Sequence, residues 1–145
     1  MRLIVASALF FGLAGVALAQ QPTYNEQVEK EFPALDRLVK TQPYKGAYGA
    51  LLKELSPVPD YLSDVLRRKG DYMTFGSKQV SVDGSPHRVA MVCPTNVTCA
   101  EYGSVFMFTA DGRQAWAEVR DGDKPVYLGG PSTAQKQALD QAFDE

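Results

Sequence analysis

Histidine and cysteine are scarce in this chain of 145 residues, which contains one histidine and two cysteines. Nucleophilic catalysis of the Ser-His-Asp or Cys-His kind would have to use His87, and no nucleophile-elbow pattern accompanies it. A zinc site would need ligands beyond Cys93, Cys99 and His87, with both thiols reduced. A glycosidase needs only two carboxylates, which the sequence does not exclude, but no pair of acids stands out. We therefore expect no catalytic residues, no metal and no cofactor, and predict that the chain is not an enzyme.

Charge of one sign is not in excess either. Fifteen lysines and arginines stand against 17 aspartates and glutamates, and the formal net charge is −2 at pH 7. Proteins that bind nucleic acids are usually strongly basic, so we expect no nucleic-acid partner. The mild acidity is compatible with a basic partner protein.

Long apolar runs are missing except at the start of the chain. Arg2 precedes an apolar stretch over residues 3–16, and Ala17-Leu18-Ala19 then matches the small-x-small pattern of a cleavage site. We therefore predict a signal peptide over residues 1–19 that is cleaved after Ala19. The stretch is short for a membrane span and no cysteine follows the cleavage site, so we expect no membrane anchor. The expected location is the periplasm, where disulfides persist.

The first part of the remaining chain has helical periodicity. Apolar residues recur at helical spacing over residues 26–40 and again over residues 44–55. Pro33 should kink the first of these helices or mark its start. A further short helix, capped by Asp60, should end at Gly70, because glycine readily takes the left-handed conformation of a C-cap.

From residue 72 onward the apolar period changes to two, which indicates β-strands. The expected strands span residues 72–82, 87–93, 105–109, 115–119 and 125–128. Short turns such as Asp83-Gly84 separate them, so the strands should be antiparallel. Ser132 and Gln135 have the spacing of a capping box, which predicts a final helix. The sequence thus predicts one α+β domain over residues 20–145, with an antiparallel sheet of about five strands flanked by N-terminal helices and one C-terminal helix.

The two cysteines, Cys93 and Cys99, lie between two predicted strands and enclose the residues Pro-Thr-Asn-Val-Thr. In an exporting compartment such a pair should form a disulfide. A ring this short stabilises a fold by only about 2 kcal/mol in the loop-entropy model. We therefore favour a second purpose, which is to hold a presented binding loop in one conformation and so lower its ordering cost. A stapled hairpin turn with no binding role remains the alternative interpretation.

Several short segments carry a resemblance to a known family. They are Pro59-Asp60-Tyr61-Leu62 in a helix ending at Gly70, a tyrosine-led strand, Val89-Ala90-Met91-Val92-Cys93, the cysteine-closed loop, Val105-Phe106-Met107-Phe108 and Asp121-Gly122. In this order, over about residues 45–143, they resemble the inhibitor of vertebrate lysozyme (Ivy) family of small periplasmic proteins. In that family a disulfide-closed loop protrudes and plugs the active-site cleft of lysozyme.

The resemblance implies that this chain inhibits a peptidoglycan-cleaving enzyme, either a lysozyme or a lytic transglycosylase, through the segment 93–99. Members of that family can dimerise, so a homodimer is also compatible with the resemblance. The family's best-known loop reads Cys-Lys-Pro-His-Asp-Cys, whereas the five residues inside this ring include no lysine, histidine or aspartate. Cys93 and Cys99 match the family's cysteines, and Pro94 is a further match in a shifted register.

The residues inside the ring offer neutral binding groups. Thr95, Asn96 and Thr98 supply hydroxyl and amide donors that could reach the carboxylates of a muramidase cleft, and Val97 adds a small apolar contact. Pro94 fixes one backbone angle, and Asn96 tolerates the left-handed conformation of a tight tip. Because neutral hydrogen bonds are about half as strong as charged ones, we expect weaker binding or a different cleft. The alternative is a non-inhibitory periplasmic binding module that kept the fold without the lysozyme target.

Overall fold

The computed structural model describes residues 24–122 and 124–144 of the chain. The predicted signal peptide, residues 1–19, lies outside the described residues. In chain order the elements are α1 (Tyr24–Glu31), α2 (Leu35–Leu38), α3 (Tyr44–Leu52), α4 (Asp60–Arg67), β1 (Tyr72–Thr74), β2 (Lys78–Val82), β3 (Ser85–Pro94), α5 (Cys99–Tyr102), β4 (Ser104–Thr109), β5 (Ala115–Asp121), β6 (Lys124–Leu128) and α6 (Thr133–Ala142). The fold is α+β, with helices before the sheet and one helix after it, as the sequence predicted.

The strands form one six-stranded antiparallel sheet in the order β1-β3-β4-β5-β6, and β2 also pairs with β3. β1 lies beside the end of β3, whereas β2 lies beside its start. The prediction of one continuous strand over residues 72–82 was therefore wrong. Between β1 and β2 the backbone bonds elsewhere, because Gly76 pairs with Ala34 and the amide of Ser77 donates to the carbonyl of Pro33 at 3.1 Å.

The ends of the early helices differ in detail from the prediction. Pro33 separates α1 from α2, as its missing amide and ring sterics require. Arg68 rather than Gly70 takes the left-handed C-cap position of α4, with φ of 50°. The Arg68 guanidinium lies 3.8 Å from the carboxylate of Asp36 in α2, so the residue at this cap also joins two helical segments.

Of the two helix N-caps predicted from the sequence, one is absent and the other is present. Asp60 is the first helical residue of α4, and the residue before it, Pro59, makes no side-chain cap hydrogen bond. Asp60 was therefore wrongly predicted as the cap. The capping box of α6 is confirmed, because the amide of Gln135 donates to Ser132 Oγ at 3.2 Å and the amide of Ser132 donates to Gln135 Oε1 at 2.8 Å.

Helices cover both faces of the sheet. On one face, side chains of α2, α3 and α4, including Leu35, Tyr48, Leu62 and Val65, pack against Phe106 and Phe108 of β4. On the other face, α6 contributes Leu139, and Phe143 just beyond its end, to a cluster with Val105 and Met107. Because both faces are covered, the five positions 104–108 of β4 are all buried, which explains why residues 105–108 are apolar without alternation.

Tyr48 provides a test of the larger core, since its ring is fully buried and its hydroxyl donates to the carbonyl of Leu62 at 2.8 Å. We expect Tyr48→Phe to lower the free energy of unfolding by about 1 kcal/mol, the net value of one buried hydrogen bond, as measured by urea denaturation. Tyr44→Phe is the matched control, because the Tyr44 hydroxyl makes a longer, exposed hydrogen bond of 3.3 Å to Ala110. Equal losses in the two variants would contradict this account of the core.

Candidate functional site

The disulfide loop, residues 93–99, follows directly from the longest strand of the sheet. β3 brings Cys93 into the core, where it is fully buried, and β1 pairs with it through Met73. Cys93 and Cys99 form the predicted disulfide, with their Cα atoms 5.4 Å apart. One end of the loop is thus fixed by the sheet and the other end by a covalent bond to the same strand.

The tip of the loop, residues 96–98, is exposed to solvent. Asn96, Val97 and Thr98 are exposed, with 38% of Val97 accessible, whereas Pro94 and Thr95 are half-buried. Asn96 has φ of 63°, which confirms the prediction that it takes the left-handed conformation. The amide of Thr95 donates to the carbonyl of Asp71 at 3.4 Å, so the first limb of the loop is also held by the residue before β1.

The polar side chains of the loop make no hydrogen bond to the described residues of the protein. Within the described part of the chain, the side chains of Thr95, Asn96 and Thr98 form no hydrogen bond. Thr98 is the N-cap residue of α5, yet its hydroxyl does not bond to the helix; only its carbonyl accepts hydrogen bonds, from the amides of Glu101 and Tyr102. The hydroxyl and amide groups of this segment therefore remain available to a partner.

A single turn of helix, α5, supports the second limb of the loop, and the sequence analysis did not predict it. Four residues are too few to show a helical period, so no sequence signal identified this turn. Its carbonyls bond to the end of β5: the amide of Gly122 donates to Glu101 at 3.0 Å, and Arg120 Nη1 donates to Ala100 at 2.9 Å. The amide of Arg120 also donates to the carbonyl of Gly103 at 2.9 Å.

A buried acid lies beside this support. Glu118 is fully buried between the sheet and α6, and its Oε1 accepts a hydrogen bond of 2.6 Å from Arg120 Nε. Its Oε2 has no hydrogen-bond partner among the described residues, but the Asp140 carboxyl lies within hydrogen-bonding reach. Two carboxyl groups can bond to each other only when one is protonated. Burial raises the pKa of Glu118 to about 7, Asp140 raises it as well, and Arg120 lowers it.

The remaining groups around Glu118 belong to β6 and α6. The Tyr127 hydroxyl donates to Asp140 Oδ1 at 2.6 Å, and this bond to a carboxylate raises the pKa of Tyr127 to about 12. Lys136 lies over the Tyr127 ring at 5.1 Å, and Phe143 lies under the Arg120 guanidinium at 3.7 Å. The sequence analysis did not single out any of these residues, because they come together only when α6 packs on the sheet.

An apolar groove lies on the same face of the sheet, between β2, β3 and α6. It has a volume of about 310 Å³, and its lining includes Phe75, Val80, Met91, Ala142 and Phe143. The described residues include no cluster of three or more His, Cys, Asp or Glu side chains that could hold a metal ion. In the same part of the chain, no helix is long and apolar enough to cross a membrane.

His87 lies near the start of β3, at the other end of the strand from the disulfide loop. It is buried, its Nδ1 is 2.9 Å from the carbonyl oxygen of Ser85, and its ring lies 5.7 Å from that of Trp116. The only histidine is therefore a packed residue that does not reach residues 94–98.

Comparison with known proteins gives no match: no family model, no curated protein and no solved structure matches this chain.

Gly103 tests how closely α5 packs against the base of the loop. A Cβ at this position would overlap the carbonyl oxygen of Cys99 and approach the Cβ of Cys93 at 3.4 Å. We expect Gly103→Ala to lower the free energy of unfolding by about 1–3 kcal/mol, as overpacking does elsewhere. Gly49→Ala is the matched control, because nothing lies within 4 Å of a Cβ there; it should stabilise α3 by about 1 kcal/mol. Thermal denaturation of both variants checks the opposite signs, and a neutral Gly103→Ala would contradict the packing.

The raised pKa of Glu118 predicts how the free energy of unfolding depends on pH. Its pKa of about 7 in the folded protein lies above its ordinary value of 4.5, so between these values the folded state binds more protons than the unfolded state. The free energy of unfolding should therefore fall as pH rises from 4.5 to 7. Glu118→Gln should flatten this slope, because glutamine does not titrate. The fold should be kept, since the glutamine amide can still accept from Arg120 and donate to Asp140.

The measurement is urea denaturation at a series of pH values. Asp144→Asn serves as the control, since Asp144 is an exposed acid near the end of the described chain, and it should keep the wild-type slope. A slope that is the same in wild type and Glu118→Gln would show that Glu118 does not titrate in this range.

Proposed function

We propose that the protein is a periplasmic inhibitor of a peptidoglycan-cleaving enzyme, a lysozyme or a lytic transglycosylase, and that it occludes the active-site cleft with the tip of the disulfide loop. The observation that carries this proposal is the exposed tip: Asn96, Val97 and Thr98 extend from a base that is closed by the Cys93–Cys99 disulfide. The polar side chains there make no internal hydrogen bond among the described residues, which favours a role toward a partner.

The base of the loop supports binding because it lowers the entropy lost on association. A segment fixed at Cys93 by the sheet and at Cys99 by the disulfide has few conformations to lose when it meets a partner. A narrow tip on a rigid base suits a concave target better than a flat one. A muramidase cleft is concave and contains catalytic carboxyl groups that accept hydrogen bonds.

The chemistry of the tip suggests moderate affinity. Thr95, Asn96 and Thr98 can donate to carboxylates, but none of them carries a charge. Neutral hydrogen bonds contribute about half as much as charge-assisted ones, so the complex should be weaker than one made through a charged loop. Val97 is 38% exposed and can add an apolar contact at the centre of the tip.

Two sequence features support the choice of target. The order of elements around the loop resembles the Ivy family, in which a disulfide-closed loop enters the lysozyme cleft. The apolar stretch over residues 3–16, followed by Ala17-Leu18-Ala19, favours export to the compartment that contains peptidoglycan.

A second candidate function is a non-inhibitory protein-binding module. It is favoured by one observation, which is that residues 94–98 include no charged side chain to pair with catalytic carboxylates. In that case the same loop, or another surface, would bind a periplasmic protein that is not a muramidase.

The proposal predicts inhibition in a turbidity assay, in which peptidoglycan suspensions clear under a lysozyme or a lytic transglycosylase. We expect the purified protein to slow clearing by at least one of the two enzymes. Thr95→Ala, Asn96→Ala and Thr98→Ala combined should weaken inhibition by at least about tenfold, because three donors of about 1 kcal/mol each are lost. Reduction of the disulfide should weaken it as well, since the tip then loses its fixed base.

The matched control combines Arg113→Ala and Gln114→Ala in the turn between β4 and β5, at the opposite end of the sheet. Both residues are exposed, and this variant should inhibit as well as wild type. Failure to slow either enzyme would reject the inhibitor function. Capture of a different periplasmic protein, with binding unchanged in the triple-alanine variant, would favour the second candidate instead.

A further inference from the structure

Three elements meet at the side chain of Arg120. Its Nε donates to Glu118 Oε1 at 2.6 Å, and its Nη1 donates to the carbonyl of Ala100 in α5 at 2.9 Å. The face of its guanidinium lies 3.7 Å from the centre of the Phe143 ring, at the C-cap of α6. One half-buried side chain therefore connects the end of β5, the end of α6 and the helical turn that follows Cys99.

We propose that Arg120 is a positioning residue of the disulfide loop, which it acts on by holding α5 against β5. This assignment rests on the proposed role of the loop in binding. The first limb of the loop continues from β3, but the second limb ends at Cys99, where α5 begins. The disulfide holds the Cys99 side chain to β3, but the Cys99 backbone begins α5, so a displacement of α5 would change the backbone direction of the second limb.

Glu118 fixes the direction in which Arg120 points. The carboxylate is fully buried and its Oε1 accepts from Nε, which sets the plane of the guanidinium. Phe143 covers one face of that plane. With the plane set, Nη1 reaches the Ala100 carbonyl, which is otherwise at the surface, in α5.

The geometry requires arginine rather than a cation in general. The two acceptors, Glu118 Oε1 and the Ala100 carbonyl oxygen, are contacted by different nitrogens of one planar group. A lysine ammonium is a compact point charge on a flexible stem and does not present two donors in a fixed fork. Arg120→Lys should keep the positive charge beside Glu118 and lose the hydrogen bond to α5.

The test is residue-resolved amide hydrogen exchange of the purified protein, with no target enzyme present. The reporter amides are Tyr102, Gly103 and Gly122, which bond to Thr98, Cys99 and Glu101 respectively. In Arg120→Lys these amides should exchange about tenfold faster than in wild type, the loss expected for one hydrogen bond to a charged donor. Core amides of β3 should change by less than about twofold if the fold is otherwise kept.

Arg113→Lys is the matched control, because Arg113 is an exposed arginine in the turn at the opposite end of the sheet. It should leave the reporter amides unchanged. Equal acceleration of the reporter and core amides in Arg120→Lys would overturn the proposal, because the substitution would then act on stability alone.

A second measurement on the wild-type protein does not depend on any variant folding. The Nη protons of Arg120 should give separate, slowly exchanging NMR signals, because bonds to Glu118 and Ala100 restrict rotation of the guanidinium. Arg120 Nη protons that average as freely as those of Arg113 would overturn the assignment.

The exchange experiment separates this inference from the inhibitor function. If the reporter amides respond to Arg120→Lys and the protein inhibits neither enzyme, the positioning role stands and the inhibitor function fails. If inhibition is found and the reporter amides do not respond, the positioning role fails alone. If both hold, Arg120→Lys should weaken inhibition through faster dissociation, since a looser loop loses pre-organisation.

Discussion

The bond between Cys93 and Cys99 joins a buried position in the sheet to the end of an exposed segment. Cys93 is fully buried in β3, a strand that pairs with neighbours on both edges, whereas the three residues before Cys99 are exposed. Strand pairing on both edges of β3 fixes the position of Cys93, so the sheet determines where the loop begins. This asymmetry leaves residues 96–98 exposed on a base that the sheet and the disulfide hold in place.

The two faces of the sheet have different chemistry, and the difference bears on the loop. The face covered by α2, α3 and α4 is almost entirely apolar. The face covered by α6 contains the buried acid Glu118 together with the half-buried side chains of Arg120, Asp140 and Tyr127. A buried ion pair contributes little net stability compared with apolar packing. The same arginine contacts α5, so the pair also links the interior of this face to the turn after the disulfide loop.

The sequence predicted the elements whose signals are local. Alternation of apolar residues predicted most of the strands, Asp83-Gly84 the hairpin turn, and Ser132 with Gln135 the start of α6. The predictions failed where distant residues compete for the backbone. Residues 76–77 pair with Pro33 and Ala34 instead of continuing the strand expected over residues 72–82. The C-cap of α4 is Arg68, two residues before Gly70, and this residue interacts with Asp36 of α2.

In the candidate site, too, local features were predictable from the sequence and long-range contacts were not. The sequence by itself determined the loop: its two cysteines, its five uncharged residues and the left-handed Asn96 follow from composition and from steric preferences that act over a few residues. Only the tertiary structure decided what holds the loop in place. Arg120 and Ala100 are 20 residues apart, and they meet because β5 returns antiparallel to β4 and ends beside α5. Contacts of this kind depend on strand register and helix packing, which leave no periodic signal in the chain.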